Sequence, residues 1–357
     1  MGRTLTFRIP RDRYGNFHPR ILAVLRDQED ECERLAGSLY TKGLTQEQVD
    51  AICEKTAMAV SKMRIPLAKM ACEETGYGIV VDKVTKNQYA SEHVWNYMRN
   101  KKTCGVISED KAYGVKKIAS PKGVIAAITP TTNPTSTTIY KIMLALKTRN
   151  AVILSPHPHA VNCSIAAAKI MRDAAIEAGL PEHVISWISV PSMEISDVLM
   201  KSVDLIMATG GSGMVKAAYS SGTPAIGVGP GNCNVVIDES ADLRMAVESI
   251  IHSKTFDNGM ICASEQHITV LANVYDEVKR LLKEARCYFL NDDEAAKVAE
   301  VFFNSKTHGV KPPAVGQTAC RLAEMAGIEV PYDTKVLIYE TNDTSHDCAW
   351  ANEKLTT

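Results

Sequence analysis

The sequence predicts an α/β protein of doubly wound type, and three observations support that prediction. Short apolar runs rich in β-forming residues end in turn-forming residues, and helical patterns separate most of them. Strands that are apolar throughout are buried on both faces, as in parallel sheets covered by helices on each side. The composition is that of a globular protein, with 357 residues, 45% hydrophobic and 23% charged.

The strand and helix predictions follow the chain in order. Helical spacing covers residues 50–76, with an interruption at Pro66, and residues 85–100. Residues 103–121 have the pattern of an antiparallel hairpin. Helices are then predicted at 137–147, 163–179 and 215–221. The predicted strands are 123–130, 150–156, 184–190, 204–211, 234–238, 267–271 and 335–340.

Charge and cysteine usage exclude several classes of protein. The formal net charge is −1, so no overall field attracts nucleic acid or an anionic membrane. No apolar run approaches the roughly 20 residues of a membrane-spanning helix. The ten cysteines form no CxxC pair, and the first residues lack the apolar core of a secretory signal. Reduced thiols and a cytoplasmic location are therefore expected.

Three predicted strand ends carry polar or glycine-rich residues, at the edge where open parallel sheets bind ligands. The first is ITPTTNPT, in which Asn133 precedes a helix that Thr135 or Ser136 could cap. An asparagine there can donate to a developing oxyanion. It can equally make only a local turn hydrogen bond, and the sequence leaves both interpretations open.

The second strand end, ILSPHPHA, places Ser155, His157 and His159 at a helix start, which favours an anion or a ribose. A plain loop leading into the helix is the alternative. A metal site is less favoured, because no Cys, Asp or Glu lies at ligand spacing. The third end has glycines at 210, 211 and 213, which allow close ligand approach or serve packing alone. GVGPGN (227–232) resembles a dinucleotide fingerprint, but a strand follows it instead of a helix.

Cys262 lies in SKTFDNGMICASEQH (253–267), a segment whose turn residues predict a loop. A nucleophilic cysteine needs access and a lowered thiolate pKa, whereas an inert one needs neither. The histidines at 252 and 267 are not adjacent to it in sequence. Both interpretations of this thiol stay open at this point.

Longer segments carry a resemblance to a known family. PTTNPTSTTIYKIMLALKTRNAVILSPHP, ATGGSGMVKAAYSSGTPAIGVGPGN and SKTFDNGMICASEQ resemble the CoA-acylating aldehyde dehydrogenases. The similarity is to the N-terminal half of bifunctional aldehyde-alcohol dehydrogenases, from about Thr45 to Leu355. It implies two Rossmann-like doubly wound lobes and an oligomerisation hairpin at 103–121. The implied domains are an NAD-binding domain at 45–238 and a catalytic domain at 239–357.

The resemblance also implies roles for individual residues. Cys262 would be the nucleophile, and Asn133 with the backbone N–H of Cys262 would form the oxyanion site. The implied NAD-binding residues are Thr132, Ser155, Pro156, His157, Pro158, Thr209, Gly210, Gly211 and Glu353. The reaction would convert acetaldehyde, coenzyme A and NAD into acetyl-CoA and NADH, reversibly, through a thioester on Cys262.

One departure from the hydrolytic relatives favours coenzyme A over water. Those enzymes carry a Glu-Leu-Gly-Gly element whose glutamate activates water. The matching stretch here, 226–231, reads IGVGPG and holds no carboxylate. Without a general base for water, a thiol is the favoured nucleophile.

The two ends of the chain differ from an intact member of this family. Residues 1–44 resemble a fragment of a mutator-type transposase, with eight Lys or Arg against six Asp or Glu. At the other end the sequence stops at EKLTT, where family members continue. The resemblance therefore implies an incomplete second lobe, weak NAD binding and poor turnover, and a homo-oligomer only if that lobe forms. The alternatives are an inactive or weakly active fusion fragment and, least favoured, a DNA-binding module at 1–44.

Overall fold

The protein's structure, a computed structural model, describes residues 43–305, 309–343, 345 and 348–357. Residues 1–42, which hold nearly all of the transposase-like segment, therefore lie outside the described residues. Within the described part of the chain, no helix is both long enough and apolar enough to cross a membrane.

Strands and helices alternate along most of the chain. The strands are β1 (Gly105–Asp110), β2 (Val115–Ala119), β3 (Val124–Ile128), β4 (Ala151–Ser155), β5 (Ile185–Trp187), β6 (Leu205–Thr209), β7 (Ala225–Val228), β8 (Cys233–Ile237), β9 (Glu265–Val270), β10 (Cys287–Leu290) and β11 (Val336–Tyr339). The helices are α1 (Gln46–Lys62), α2 (Arg64–Thr75), α3 (Val80–Gln88), α4 (Val94–Met98), α5 (Pro134–Lys147), α6 (Val161–Glu177), α7 (Met193–Ser202), α8 (Ser212–Ser220), α9 (Leu243–Thr255), α10 (Tyr275–Glu284), α11 (Asp292–Phe302) and α12 (Ala319–Met325).

A five-stranded parallel sheet with strand order β5-β4-β3-β6-β7 organises the first half of the described chain. The chain builds outward from β3 to β5, then crosses back to place β6 on the other side of β3. The strand order thus reverses beside β3. In such sheets a ligand crevice opens at the carboxyl ends of the strands flanking the reversal, here β3 and β6.

Helices cover both faces of this sheet, as the uninterrupted apolar strands predicted. Ile139 and Met143 of α5 and Met171 of α6 pack on β3 and β4 in one buried cluster. Leu199 of α7 and Ala218 of α8 pack on β6 in another. All five residues of β3 are buried. The doubly wound α/β prediction is confirmed.

The second half contains two further parallel pairs, β8-β9 and β10-β11, which are separate sheets within the described residues. Helices α9 and α10 pack on the β8-β9 pair around Val247, Ile251 and Leu281. The strands predicted at 234–238, 267–271 and 335–340 correspond to β8, β9 and β11. Strands β7 and β10 were not predicted; each has only four residues.

Three local expectations were wrong. The helix break predicted at Pro66 falls instead at Met63, and Pro66 lies in the first turn of α2, where a missing N–H leaves no hydrogen bond unmade. The helix expected at 85–100 is α3 and α4 joined by a π-helical turn, Tyr89–His93. Neither Thr135 nor Ser136 caps α5. The hydroxyl of Thr135 donates to Asn87 Oδ1 at 2.8 Å.

Strands β1 and β2 form the predicted antiparallel hairpin. Every residue of β1 is exposed, and so is most of β2. Within the described residues the hairpin pairs with no other strand. It is therefore a protruding ribbon with open edges.

Candidate active site

Asn133 stands where the crevice between β3 and β6 was expected, at the start of α5. Its backbone is not helical (φ −136°, ψ 58°), and its side chain does not cap the helix that follows. The amide instead reaches across the chain. Nδ2 donates to the carbonyl oxygen of Met260 at 3.2 Å and to Thr132 Oγ1 at 3.3 Å. A purely local turn role is therefore excluded for Asn133.

The loop that carries Cys262 starts with an unusual turn after α9. Asp257 and Asn258 both adopt left-handed backbone conformations, with φ of 50° and 52°. Non-glycine residues rarely adopt such angles unless their surroundings hold them there. The Asn258 side chain donates to the carbonyl of Gly316 at 2.8 Å, which anchors the turn. Met260 is then fully buried, and Cys262 emerges two residues later.

Cys262 is exposed, whereas the other cysteines in the described part of the chain are buried or partly buried. Access therefore distinguishes Cys262 from them. The prediction that this thiol lies in a loop is confirmed.

The pKa of Cys262 does not show the lowering that a poised nucleophile needs. Partial burial raises it first, and the nearby Glu353 and Cys233 raise it further. Lys86 acts in the opposite direction but is a smaller influence. The thiol is therefore accessible, and its protein surroundings do not favour the thiolate.

A glycine loop passes directly against Cys262. A Cβ placed on Gly231 would lie 2.1 Å from the carbonyl oxygen of Cys262, so only glycine fits there. Cys233 Sγ donates to the same oxygen at 3.5 Å. The segment 229–232 reads GPGN and brings no carboxylate to the thiol.

Glu353 lies on the other side of this loop. Its Oε1 accepts a hydrogen bond from the backbone N–H of Gly231 at 3.1 Å. The N–H of Lys354 donates to Gln266 Oε1 at 3.0 Å and fixes the segment in place. Burial raises the pKa of Glu353, while the Gly231 N–H and Lys254 oppose that rise. The structure thus brings Glu353 and Cys262 together although 91 residues separate them.

Most of the residues that the resemblance implies for the cofactor lie at the ends of β4 and β6, whereas Thr132 follows β3 and Glu353 lies against Gly231. Ser155 closes β4 and is buried, Pro156 follows it, and His157 and Pro158 lead into α6. His157 Nδ1 accepts the backbone N–H of His159 at 3.2 Å, and burial lowers the pKa of His157. No group of three His, Cys, Asp or Glu suited to a metal occurs among the described residues.

The end of β6 has the features of an anion cradle. Thr209 closes the strand, and Gly210 and Gly211 lead into α8, whose first turn has no side-chain cap. A Cβ on Gly211 or Gly213 would meet nothing within 4 Å, so the backbone there is open. Uncapped N–H groups at a helix start suit a phosphate. This helix start could therefore hold a phosphate group of a cofactor.

Three buried charged residues at this site were not predicted. Lys83 and Lys86 of α3 both contact Asp257, with Nζ to Oδ2 distances of 3.1 Å and 2.5 Å. Lys86 Nζ also donates to Asn133 Oδ1 at 2.7 Å and to the Met260 carbonyl at 2.8 Å. Burial lowers the pKa of Lys86 to about 8. The i, i+3 spacing of two lysines was the one available sequence signal, and it is far more often a solvated helix face.

Lys141 of α5 is a further buried lysine, placed at the crevice itself. Its Nζ donates to the carbonyls of Ile128 and Met207 at 2.5 Å and 2.7 Å. It therefore joins the ends of β3 and β6. Burial lowers its pKa to about 7.

A sequence profile described as the aldehyde dehydrogenase family matches residues 39–298. This chain belongs to the aldehyde dehydrogenase family. It is 52% identical over 311 residues to the aldehyde-alcohol dehydrogenase of Clostridium acetobutylicum, covering 87% of this chain and 36% of that protein. The chain thus spans about a third of the length of this curated relative.

Solved structures of aldehyde dehydrogenases have the same fold. The acetylating aldehyde dehydrogenase of Geobacillus thermoglucosidasius superposes with a TM-score of 0.88 at 44% identity, over 94% of this chain and 74% of that one. A propionaldehyde dehydrogenase of Rhodopseudomonas palustris, described with bound CoA and an acylated cysteine, has a TM-score of 0.78 at 29% identity, over 92% and 75% of the two chains.

A second profile, the mutator family of transposases, matches residues 1–75 and so overlaps the first. The described part of the overlap contains α1 and α2. Val49, Ile52 and Val60 of α1 and Leu67 of α2 are buried in the same cluster as β3 and β4. These two helices are therefore an integral part of the aldehyde dehydrogenase fold.

Proposed function

We propose that this chain is an NAD-dependent, CoA-acylating aldehyde dehydrogenase that carries the acyl group on Cys262. The observation that supports it most is the hydrogen bond that joins the Asn133 side chain, at the end of β3, to the loop that carries Cys262. Asn133 directs its amide at the carbonyl of Met260, and the exposed thiol of Cys262 follows two residues later. Acetaldehyde is the proposed substrate, because the similar proteins include an aldehyde-alcohol dehydrogenase and an acetylating aldehyde dehydrogenase.

The first step is addition of the thiol to the aldehyde. Cys262 loses its proton to solvent, and its sulfur bonds to the carbonyl carbon while the carbonyl oxygen takes the negative charge. Asn133 Nδ2 and the backbone N–H of Cys262 donate to that oxygen. Preorganised donors of this kind lower the barrier by about 3 to 4 kcal/mol each. Since the pKa of Cys262 is raised, such stabilisation is needed to make addition favourable.

The NAD site is proposed at the ends of β4 and β6, with Thr132, Ser155, Pro156, His157, Pro158, Thr209, Gly210, Gly211 and Glu353 around it. The open N–H groups at the start of α8 would hold the pyrophosphate, and Glu353 would accept a hydrogen bond from the nicotinamide ribose. When bound, NAD supplies the hydride acceptor that oxidises the substrate carbon to the thioester level.

Release of the acyl group requires a nucleophile, and coenzyme A is proposed for it. The CoA thiol attacks the thioester carbon, the new C–S bond forms, and the Cys262 thiolate leaves. The loop beside Cys262 contains no carboxylate to activate water. The nearby Glu353 is already bonded to the Gly231 N–H. A thiol is the better nucleophile in such a site.

The test is NADH formation from acetaldehyde, NAD and CoA, followed by absorbance. The expected result is CoA-dependent NADH formation that disappears in Cys262→Ala and persists in Cys320→Ala, since Cys320 is a partly buried thiol outside the site. Equal rates without CoA would show a hydrolytic enzyme. No NADH from the parent chain would favour the alternative of an inactive fragment.

The same proposal includes three further properties of the chain. They are a division into domains at 45–238 and 239–357, a cytoplasmic location, and formation of a homo-oligomer through the β1-β2 hairpin. The parallel sheet from β3 to β7 falls inside the first range, and Cys262 and Glu353 fall inside the second. The hairpin presents open strand edges to a second copy.

A further inference from the structure

Lys86 occupies a position in which each of its three N–H bonds has a defined acceptor. The acceptors are Asp257 Oδ2 at 2.5 Å, Asn133 Oδ1 at 2.7 Å and the Met260 carbonyl at 2.8 Å. Its side chain is 9% exposed, and Asp257 is 0% exposed. A buried ammonium this fully paired is held in one orientation.

These contacts determine which way the Asn133 amide faces. An ammonium donates hydrogen bonds and accepts none, so the Asn133 atom beside Lys86 must be the carbonyl oxygen. The amide nitrogen is then forced to the opposite side, where it meets the Met260 carbonyl at 3.2 Å. With the amide reversed, two donors would face each other at Lys86 and two oxygens at Met260.

We propose that Lys86 is a positioning residue: it holds the Asn133 amide in the orientation from which the N–H that donates to Thr132 Oγ1 can turn to the carbonyl oxygen of an acyl group on Cys262. This inference rests on the proposed function. Lys86 does not touch the substrate; it acts through Asn133. The Lys86 ammonium donates to the amide oxygen of Asn133. Its positive charge also polarises the amide and makes the N–H groups of Asn133 stronger donors.

Lys83 provides a matched control within the same cluster. It lies one turn earlier on α3, is 2% exposed and contacts the same Asp257 oxygen. Its other hydrogen bond goes to the Thr132 carbonyl at 2.9 Å, not to the Asn133 side chain. Replacing either lysine removes a buried ion pair, but only Lys86→Met frees the Asn133 amide.

The experiment compares two reactions of Cys262 that need neither NAD nor CoA. In acylation by p-nitrophenyl acetate, the sulfur bonds to the ester carbon, nitrophenolate leaves, and a tetrahedral oxyanion forms on the way. Alkylation by iodoacetamide displaces iodide and forms no oxyanion. The ratio of the two rate constants at one pH cancels any change in thiolate fraction and reports the oxyanion site alone.

Lys86→Met is expected to lower this ratio by about tenfold or more, because a misplaced donor loses much of its effect. Lys83→Met is expected to change the ratio by less than about twofold, because Lys83 donates to the Thr132 carbonyl and not to the Asn133 side chain. In an Asn133→Ala background, Lys86→Met is expected to lower the ratio no further, because its effect passes through Asn133.

Lys86→Gln can present a donor to Asn133, so it is expected to restore part of the ratio. It also replaces Lys86→Met in the experiment if Lys86→Met does not fold.

Three outcomes would overturn the inference. One is an unchanged ratio in Lys86→Met and Lys86→Gln. Another is an equal fall in Lys83→Met, or a further full loss in the Asn133→Ala background, either of which would indicate a general structural effect. The third is a parent chain whose Cys262 is alkylated but never acylated, since no oxyanion site would then exist. If the chain forms no NADH, the proposed function is contradicted. The role of Lys86 is still decided by the ratio of acylation to alkylation, because neither reaction needs NAD or CoA.

Discussion

Gly231 and Cys262 approach each other so closely that the loop between β7 and β8 tolerates no side chain at this residue. The nearest contact for a Cβ on Gly231 is the Cys262 carbonyl oxygen at 2.1 Å, followed by its carbonyl carbon at 3.0 Å. Both are backbone atoms, which cannot rotate away. The position of the reactive thiol therefore depends on this glycine.

Gly231→Ala is expected to displace the Cys262 loop and to cost about 1 to 3 kcal/mol of unfolding free energy, as overpacking does. Urea unfolding measures the stability, and the rate of iodoacetamide labelling measures the thiol's access. Gly229→Ala is the control, because its Cβ would meet only Val215 Cγ2 at 3.8 Å. Equal behaviour of the two variants would contradict the close approach described here.

Glu353 is expected to reduce the reactivity of Cys262 in the unliganded protein. Its negative charge is the second cause, after burial, of the raised thiol pKa. A raised pKa means less thiolate at a given pH, so removing the charge lowers that pKa and increases the thiolate fraction. The variant Glu353→Gln tests this, because it removes the charge but keeps a side-chain oxygen that can accept the Gly231 N–H.

The alkylation rate of Cys262 in Glu353→Gln is therefore expected to rise severalfold at pH 8, with its pH profile shifted to lower pH, since one pKa unit changes the thiolate fraction about tenfold. Mass spectrometry of the labelled peptide measures that rate. In the parent chain the profile should reach its midpoint above the usual thiol pKa of 9.0. A slower reaction in the variant, or an unshifted profile, would refute this electrostatic role.

At this scale the sequence singled out the proposed catalytic residues, whereas it gave no sign of the residues that contact them. Asn133 and Cys262 stand beside glycine, proline and turn residues that mark strand ends. Lys86 and Asp257 could not be identified, because 171 residues separate them and nothing in either segment shows burial. The raised pKa of Cys262 was likewise unpredictable, since it depends on Glu353 and on packing.

Among the elements, the β1-β2 hairpin exposes several large apolar side chains, on both of its strands. Val106 and Ile118 face each other across the two strands and are 38% and 67% exposed. Directly opposed residues lie on the same face of a ribbon. An apolar pair on a ribbon with open edges is the surface that we propose for contact with a second copy.

Ile118→Lys is expected to shift the protein toward monomers, because a charge replaces half of this apolar pair. Light scattering after size-exclusion chromatography measures the mass, and Lys116→Ala on the same strand is the control. An unchanged assembly in Ile118→Lys, or a monomeric parent chain, would contradict oligomer formation through the hairpin.

The elements themselves were predictable in proportion to their length and regularity. Strands β3, β4 and β6 are apolar except for the last residue of β4 and of β6, and their positions were correct. Strand β7 was missed, because Ala225–Val228 is half exposed and leads into a glycine-rich turn. The break at Met63 was misplaced, since proline was taken to end a helix when it can also begin one.

For the whole molecule, the strand order of the central sheet explains where the site lies. Reversal beside β3 puts Asn133 and the glycines after β6 at one edge, and the turn after α9 places Cys262 against that edge. The sequence could predict the strands but not their order, because order depends on contacts between distant segments. The resemblance to aldehyde dehydrogenases supplied what the pattern alone could not.

Acyl transfer between coenzyme A and Cys262 is the central claim, and incubation with acetyl-CoA tests it most directly. Peptide mapping by mass spectrometry then locates the acetyl group. The account predicts one acetyl group per chain on Cys262, removed by added CoA and absent in Cys262→Ala. Acetyl groups spread over several cysteines, or an unmodified Cys262 in a folded chain, would contradict it.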